Sequence, residues 1–339
     1  MLTGAGMRDS LIDLVCCPVT RSPLTLDSDA SRSPAGEILR GTLRSPEGRT
    51  YAVAGGIPHL YEGFRSADEE QTVKAFGTEW AKYDDHEGYM GSPDLFREFT
   101  GLDPSQIAGR RVLEVGCGGG RWLKVLAGLG AREVVGLDFS TAVEQARART
   151  AALPDVHVVR GSALQMPLRP AFDLVVSIGV VHHLDDPIAG LRGMRAAAAP
   201  GALAVIWVYA QEGNELYLRV ARPLRQIGPK LPSPVLSLAS KGLASGLWVW
   251  THTVNRAAVS LRVPLPLRDY LAMLSRLRFR DLESVTYDQL TPSLARYPSK
   301  AEVSGWVESA GGAIDRLFHR TSNSWQCHFR FPDAQAHGR

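Results

Sequence analysis

At 339 residues, with 45% hydrophobic and 22% charged side chains, the chain can bury a sizeable core and is long for one domain, so a main domain with additions is expected. A formal net charge of +3, with Lys and Arg spread along the chain, excludes a composition that demands a polyanionic partner; no nucleic acid is expected, and a small neutral or acidic substrate is compatible. The four cysteines, Cys16, Cys17, Cys117 and Cys327, two of them adjacent, do not make a disulfide framework and point to a reducing, cytoplasmic compartment.

The N-terminal stretch Met1 to Leu14 carries Arg8, Asp9 and Asp13 among few apolar residues, which is not a secretory signal. Residues 8–62 form a small unit built on two phrases, Leu14 to Thr20 with Cys16-Cys17-Pro18, and Gly48 to Pro58. The phrases resemble the two knuckles of a zinc ribbon. Thr20 and the cysteine-free run Ser45-Pro46-Glu47-Gly48 stand where further cysteines would be. Tetrahedral zinc needs four ligands, so a metal-free β-hairpin relic is expected.

Residues 66–100 read as a polar helical lid or linker with Phe76, Gly77, Trp80 and Tyr83 at helical spacing. From 101 to 210 strand candidates alternate with helical stretches: Val112–Val115, Glu133–Leu137, Val156–Arg160, Phe172–Ile178 and Ala202–Tyr209. This is the alternation of a doubly wound, Rossmann-like parallel sheet, and its strands are apolar enough to be covered on both faces. Thr141 and Glu144 have capping-box spacing for the second helix, and Pro200-Gly201 ends the helix before the fifth strand.

Residues 211–290 break the repeat and are expected to be a helical cap insertion. Within them 235–263 is apolar but interrupted by Lys241, His252, Asn255 and Arg256, so no transmembrane span is expected, while contact with a membrane interface or a lipid substrate is a minority reading. In 291–332, Ser299 caps a helix, Gly311-Gly312 ends it, and Ala313–Phe318 and Trp325–Phe331 read as strands that complete the core sheet.

The chemistry concentrates at the strand ends. Glu114-x-Gly116-Cys117-Gly118-x-Gly120 joins the first core strand to a helix; glycines allow close backbone approach, and free N–H groups at a helix start favour an anionic ligand. A dinucleotide fingerprint would place a glycine at Arg121, so this loop departs from it. Asp138, about 20 positions after the loop, ends the second strand, where a carboxylate takes ribose hydroxyls. The fourth strand carries Ser177 and runs into Gly179-Val180-Val181-His182-His183-Leu184.

These phrases together resemble the successive motifs of class I S-adenosylmethionine-dependent methyltransferases, in particular a broad bacterial group, methyltransferase type 11-like, with a His-His-Leu phrase after the fourth strand. The resemblance covers Val112 to Tyr209 well and the rest more loosely, through Phe76 to Trp80, Tyr287 to Leu290 and Asn323 to Trp325. Some members carry the N-terminal ribbon, degenerate here. It implies S-adenosylmethionine as cofactor, with Glu114, Gly116, Cys117, Gly118 and Gly120 on the methionine and ribose side, Asp138 on the ribose, Phe139 packed on adenine, Ser162 and Ala163 at the adenine edge, and Ser177 nearby. Ser162 stands where the family often has aspartate.

Methyl transfer asks mainly for in-line positioning, and for a base only when the acceptor carries a proton of high pKa. His182 and His183 are the candidates for that base, with hydrogen bonding in the loop as the plainer role. Tyr209, Tyr287 and Tyr297 are candidates for substrate contact. The expectation is a small-molecule methyltransferase in secondary or envelope/glycan-type metabolism, with an oxygen, nitrogen or carbon acceptor. The alternatives are an RNA base methyltransferase, prompted by the ribbon, a non-catalytic S-adenosylmethionine-binding scaffold, and an NAD-dependent oxidoreductase.

Overall fold

A computed structural model describes residues 6–83, 88–215, 217–219, 221, 223, 228, 231–263, 267–290 and 294–332. The expected lid (66–100), cap (211–290) and C-terminal segment (291–332) each include a few residues outside these, as does the N-terminal stretch read for a signal.

The N-terminal unit contains β1 (Thr25–Leu26), β2 (Ser31–Arg32), β3 (Ile38–Arg44), β4 (Thr50–Ala54) and β5 (Ile57–Leu60). β3, β4 and β5 form an antiparallel meander. The β4–β5 turn is Gly55-Gly56, with φ of 58° and 76°, the left-handed pair that a two-residue hairpin turn requires. Tyr51 and Val53 alternate inward from β4. In the Leu14 to Thr20 phrase Cys17 Sγ lies 3.2 Å from the Tyr51 hydroxyl and accepts the Thr20 N–H at 3.4 Å. Among the described residues no three His, Cys, Asp or Glu side chains come together as a metal site.

The unit does not stand apart from the core. β5 pairs in parallel with a core strand, with His59 opposite Arg160 and Leu60 opposite Gly161, so the meander continues the main sheet.

After it come α1 (Ala67–Lys82) and α2 (Pro93–Thr100), then β6 (Arg111–Val115), α3 (Arg121–Gly128), β7 (Glu133–Asp138), α4 (Val143–Arg149), β8 (Val156–Gly161), β9 (Phe172–Ile178), α5 (Pro187–Ala197) and β10 (Ala198–Tyr209). Beyond β10 lie α6 (Ser233–Trp250), a π-helical turn (Thr251–Asn255), α7 (Arg256–Ser260), α8 (Arg268–Leu274), α9 (Phe279–Asp288), α10 (Lys300–Ser309), β11 (Ala313–Arg320) and β12 (Ser324–Arg330). The sheet order is β1-β3-β4-β5-β8-β7-β6-β9-β10-β12-β11, with β2 on β3. β8 through β10 are parallel, and β12 enters antiparallel against β10. Val112, Leu113, Val134, Val135, Val175 and Val176 are buried, as expected for strands covered on both faces.

Two local expectations are corrected. The Thr141/Glu144 box does not form; Ser140, held by Asp138, instead accepts the Ala142 N–H at 3.2 Å, and α4 starts at Val143. Pro200 and Gly201 do not precede the fifth strand but lie inside β10, at an irregularity between Ala198 and Leu203. The Ser299/Glu302 capping box does start α10. No helix among the described residues is long and apolar enough to cross a membrane.

Candidate functional site

β6 and β9 are neighbours at the centre of the sheet, and the strand order reverses between them, since β7 and β8 extend to one side and β10, β12 and β11 to the other. Open α/β sheets bind ligands outside the carboxyl ends of strands at such a point. The loop after β6 is drawn tight there. Gly116 and Cys117 donate their N–H groups to the Leu137 carbonyl at 2.7 and 3.1 Å. Gly116 has φ of 78°, and a Cβ on it would lie 2.2 Å from Val180 of the loop after β9.

A cavity of about 270 Å³ opens above these strand ends. One wall comes from α1, through Glu69, Thr72, Phe76, Glu79 and Trp80; another comes from α8 and α9, through Tyr270, Met273, Ser284 and Asp288. The floor carries Gly116, Asp138, Phe139, Ser162 and Ala163. Five of the residues expected on the cofactor side thus share one wall.

Asp138 is more committed than its strand-end position suggests. Its Oδ2 accepts the Gly118 N–H at 2.8 Å, and its Oδ1 accepts the Ser140 N–H and hydroxyl at 2.8 and 2.6 Å. A carboxylate has roughly four acceptor positions, so these bonds leave it one. Phe139 sits in an aromatic group with Tyr61 at 5.1 Å and Phe64 at 4.8 Å, both just past β5. The N-terminal unit therefore reaches the part of the wall that carries Phe139, because β5 pairs with β8.

Other expected residues lie behind the wall. Glu114 is buried and its Oε2 has no hydrogen-bond partner among the described residues. Burial pushes its carboxyl well above the usual range, opposed by the charge of Arg121 and reinforced by Asp138. Burial likewise raises the Cys117 thiol, and neither it nor Gly118 and Gly120 faces the cavity. Gly120 packs against Ala146. The Ser177 hydroxyl donates to the Val115 carbonyl at 2.9 Å and ties β9 to β6.

The two histidines separate. His183 lines the cavity, packs edge-on to Phe76 at 5.0 Å, and places Nδ1 2.5 Å from the Leu294 carbonyl. A carbonyl only accepts, so Nδ1 carries the proton and Nε2 is the basic nitrogen. His182 is completely buried, tilted against His183 at 4.1 Å and edge-on to Tyr209 at 5.0 Å, and is not part of the wall. Its expected part as a base is corrected on that ground. Of the tyrosines, Tyr209 lines the cavity with Tyr297 stacked behind it at 5.2 Å, whereas Tyr287 packs on Tyr83 outside it.

Four further residues, none of them expected at the site, also line the cavity: Arg121, Asp288, and Glu79 and Trp80 from the segment expected as a lid. Arg121, the first residue of α3, lines the cavity, and its buried Nε has no partner among the described residues. Desolvation pulls its guanidinium down to about 10. Its presence where a dinucleotide loop has glycine was a signal. Glu79 carries a carboxyl raised by burial and by the nearby Asp288; nothing in local spacing joins residues so far apart in the chain.

Residues 113–204 match the family model described as a methyltransferase domain. An uncharacterized protein of Synechococcus sp. is 35% identical over 128 residues, covering 36% of this chain and 30% of that protein. A tRNA U34 carboxymethyltransferase of Pseudoalteromonas translucida is 38% identical over 112 residues, 32% of this chain and 35% of the relative. The chain thus spans about a third of the length of the curated relatives it matches. Among solved structures, the [4+2]-cyclase SpnF has a TM-score of 0.47 at 12% identity, covering 79% of this chain and 96% of that one. Residues 113–204, set in the sheet described above, are thus similar to a methyltransferase domain.

Proposed function

We propose that the protein transfers a methyl group from S-adenosylmethionine to a small molecule held between α1 and α9. The observation that carries this reading is one cavity whose lining joins the strand-end residues Asp138, Phe139, Ser162 and Ala163 to acidic and phenolic side chains of the helices over them. The cofactor is assigned to those strand-end residues, with Glu114 Oε2 and Arg121 Nε unsatisfied beside the glycine loop. An amino-acid moiety brings one ammonium and one carboxylate, and Glu114 and Arg121 are the matching pair of opposite charges. In this reading Arg121 takes the carboxylate, Glu114 favours the ammonium, and Asp138 uses its remaining acceptor position on the ribose.

The acceptor is assigned to Glu79, Asp288, Tyr209, Tyr270 and His183 of the same lining. Gln289 fixes Tyr209 and the Tyr297 ring stacked behind it, donating to the Tyr209 hydroxyl at 2.9 Å and accepting from the Tyr297 hydroxyl at 3.0 Å. The cofactor's sulfonium supplies an activated methyl group, so the protein's task is to orient the acceptor and exclude water. Where the acceptor is a hydroxyl or amine, His183 Nε2 takes its proton.

A second reading, transfer to RNA, is favoured by the relatives named tRNA U34 carboxymethyltransferase. One assay separates them: purified protein with methyl-labelled S-adenosylmethionine is given a metabolite extract or, separately, total tRNA. Label in an extractable small molecule is the expected result. Label confined to tRNA overturns the small-molecule reading, and label in neither overturns catalysis in favour of a binding scaffold.

A further inference from the structure

The chain's charge is not as evenly spread as its total implies. Between Glu215 and Asp269 there is no acidic residue, against eight Lys and Arg, in a protein whose net charge is +3. This segment includes α6 and α7, joined through the π-helical turn into one long rod. One stripe of the rod is buried, through Leu236, Ser240, Ala244, Thr251, Asn255 and Ala258. The Thr286 hydroxyl donates to the Ser240 carbonyl at 3.0 Å and fixes that stripe on α9, whose residues line the cavity.

Elsewhere on the rod large apolar side chains are exposed among polar ones. Leu238 is 73% exposed, Val249 55%, Trp250 46% and Trp248 41%. A surface of this kind marks an interaction site. Trp248 is stacked on His252 at 4.3 Å, which holds its indole in place. Lys241 and Arg256 are exposed on the same rod, and Arg262 is exposed in the turn that follows it. Beside its first turns a groove of about 430 Å³ is lined by Leu231, Leu236, Leu243 and Leu290, with no polar side chain in its wall.

We infer that the α6–α7 rod seats the protein on the surface of an anionic lipid bilayer. Charge and shape both argue for this occupant. A helix that lies in the interface combines a large apolar face, including tryptophan, with Lys and Arg and no acidic residues. Tryptophan settles at the boundary between headgroups and acyl chains. A nucleic acid would draw on the same basic residues but gives no reason to expose Leu238, Val249 and Leu261. A second copy of the chain would meet like charge with like charge. The inference goes beyond the proposed reaction and does not rest on it.

The test is cosedimentation of the full chain with vesicles of phosphatidylcholine alone or mixed with phosphatidylglycerol. Binding to the mixed vesicles only, reversed by salt, is expected. Two double variants, Trp248→Ser with Trp250→Ser and Lys241→Glu with Arg256→Glu, should each weaken partitioning about tenfold or more. Both alter exposed positions, so circular dichroism and cofactor titration should match the parent. Equal binding to neutral vesicles, variants that bind like the parent, a dimer that the tryptophan variant dissociates, or release of the protein from vesicles by tRNA would each overturn the inference.

Discussion

The indole of Trp80 rests on Gly118: a Cβ built on that glycine would come within 2.3 Å of the ring. The glycine loop, which sequence alone assigns to close approach by a ligand, makes its close approach to a side chain of α1. Gly118 also has φ of 50°, a conformation that costs other residues roughly 1 kcal/mol.

A coupled pair of substitutions follows. Gly118→Ala should lower stability by about 1–3 kcal/mol, through strain and overlap together. In a Trp80→Ala background the overlap is gone, and only the backbone term of about 1 kcal/mol should remain. A double-mutant cycle by denaturant titration measures the difference. Additive costs would show that Trp80 does not press on the loop.

Asp138 carries the floor of the cavity. Asp138→Ala should weaken S-adenosylmethionine binding roughly tenfold or more, because a hydrogen bond to a charged group contributes about 1.5–3 kcal/mol. The same change releases the Gly118 and Ser140 N–H groups, so the loss should include a lower melting temperature. Calorimetric titration at fixed temperature reads the affinity; an unchanged value would remove Asp138 from the site.

Glu114 is expected to oppose stability in the free protein. Its folded-state pKa is raised by burial, so the folded form holds its proton more tightly than the unfolded chain, in which a glutamate ionises near pH 4.3. The penalty is therefore absent below that pH and grows as pH rises toward the folded value. Glu114→Gln should remove this dependence and raise stability at neutral pH by about 1 kcal/mol. It should also weaken cofactor binding, since the ammonium loses its counter-charge. Thermal melts across pH, with and without cofactor, read both effects.

The two histidines should respond differently. His183→Gln is expected to lower the turnover of labelled methyl transfer about 100-fold while cofactor affinity stays within about twofold. His182→Ala removes a fully buried ring between His183 and Tyr209, and should cost about 3 kcal/mol or more of stability. Equal turnover losses with no change in the melting curve of His182→Ala would contradict this division.

Much of the central domain was legible in the sequence because its signals are local. Apolar strands covered on both faces, a glycine-rich turn, and Asp138 at a strand end are each written within a few residues, and the resemblance of Val112 to Tyr209 to one methyltransferase class follows from them. The tertiary structure decided what depends on distant segments meeting. β5 pairs with β8 and so carries Tyr61 and Phe64 to Phe139. α1 and α9 converge and bring Glu79 and Asp288 to one cavity. His183 and His182, adjacent in the chain, fall on and behind its wall. No periodicity encodes those meetings, because they are set by how the sheet and the helices α1, α8 and α9 pack around the switch point, where the closing of long loops is offset only by burial that the complete fold provides.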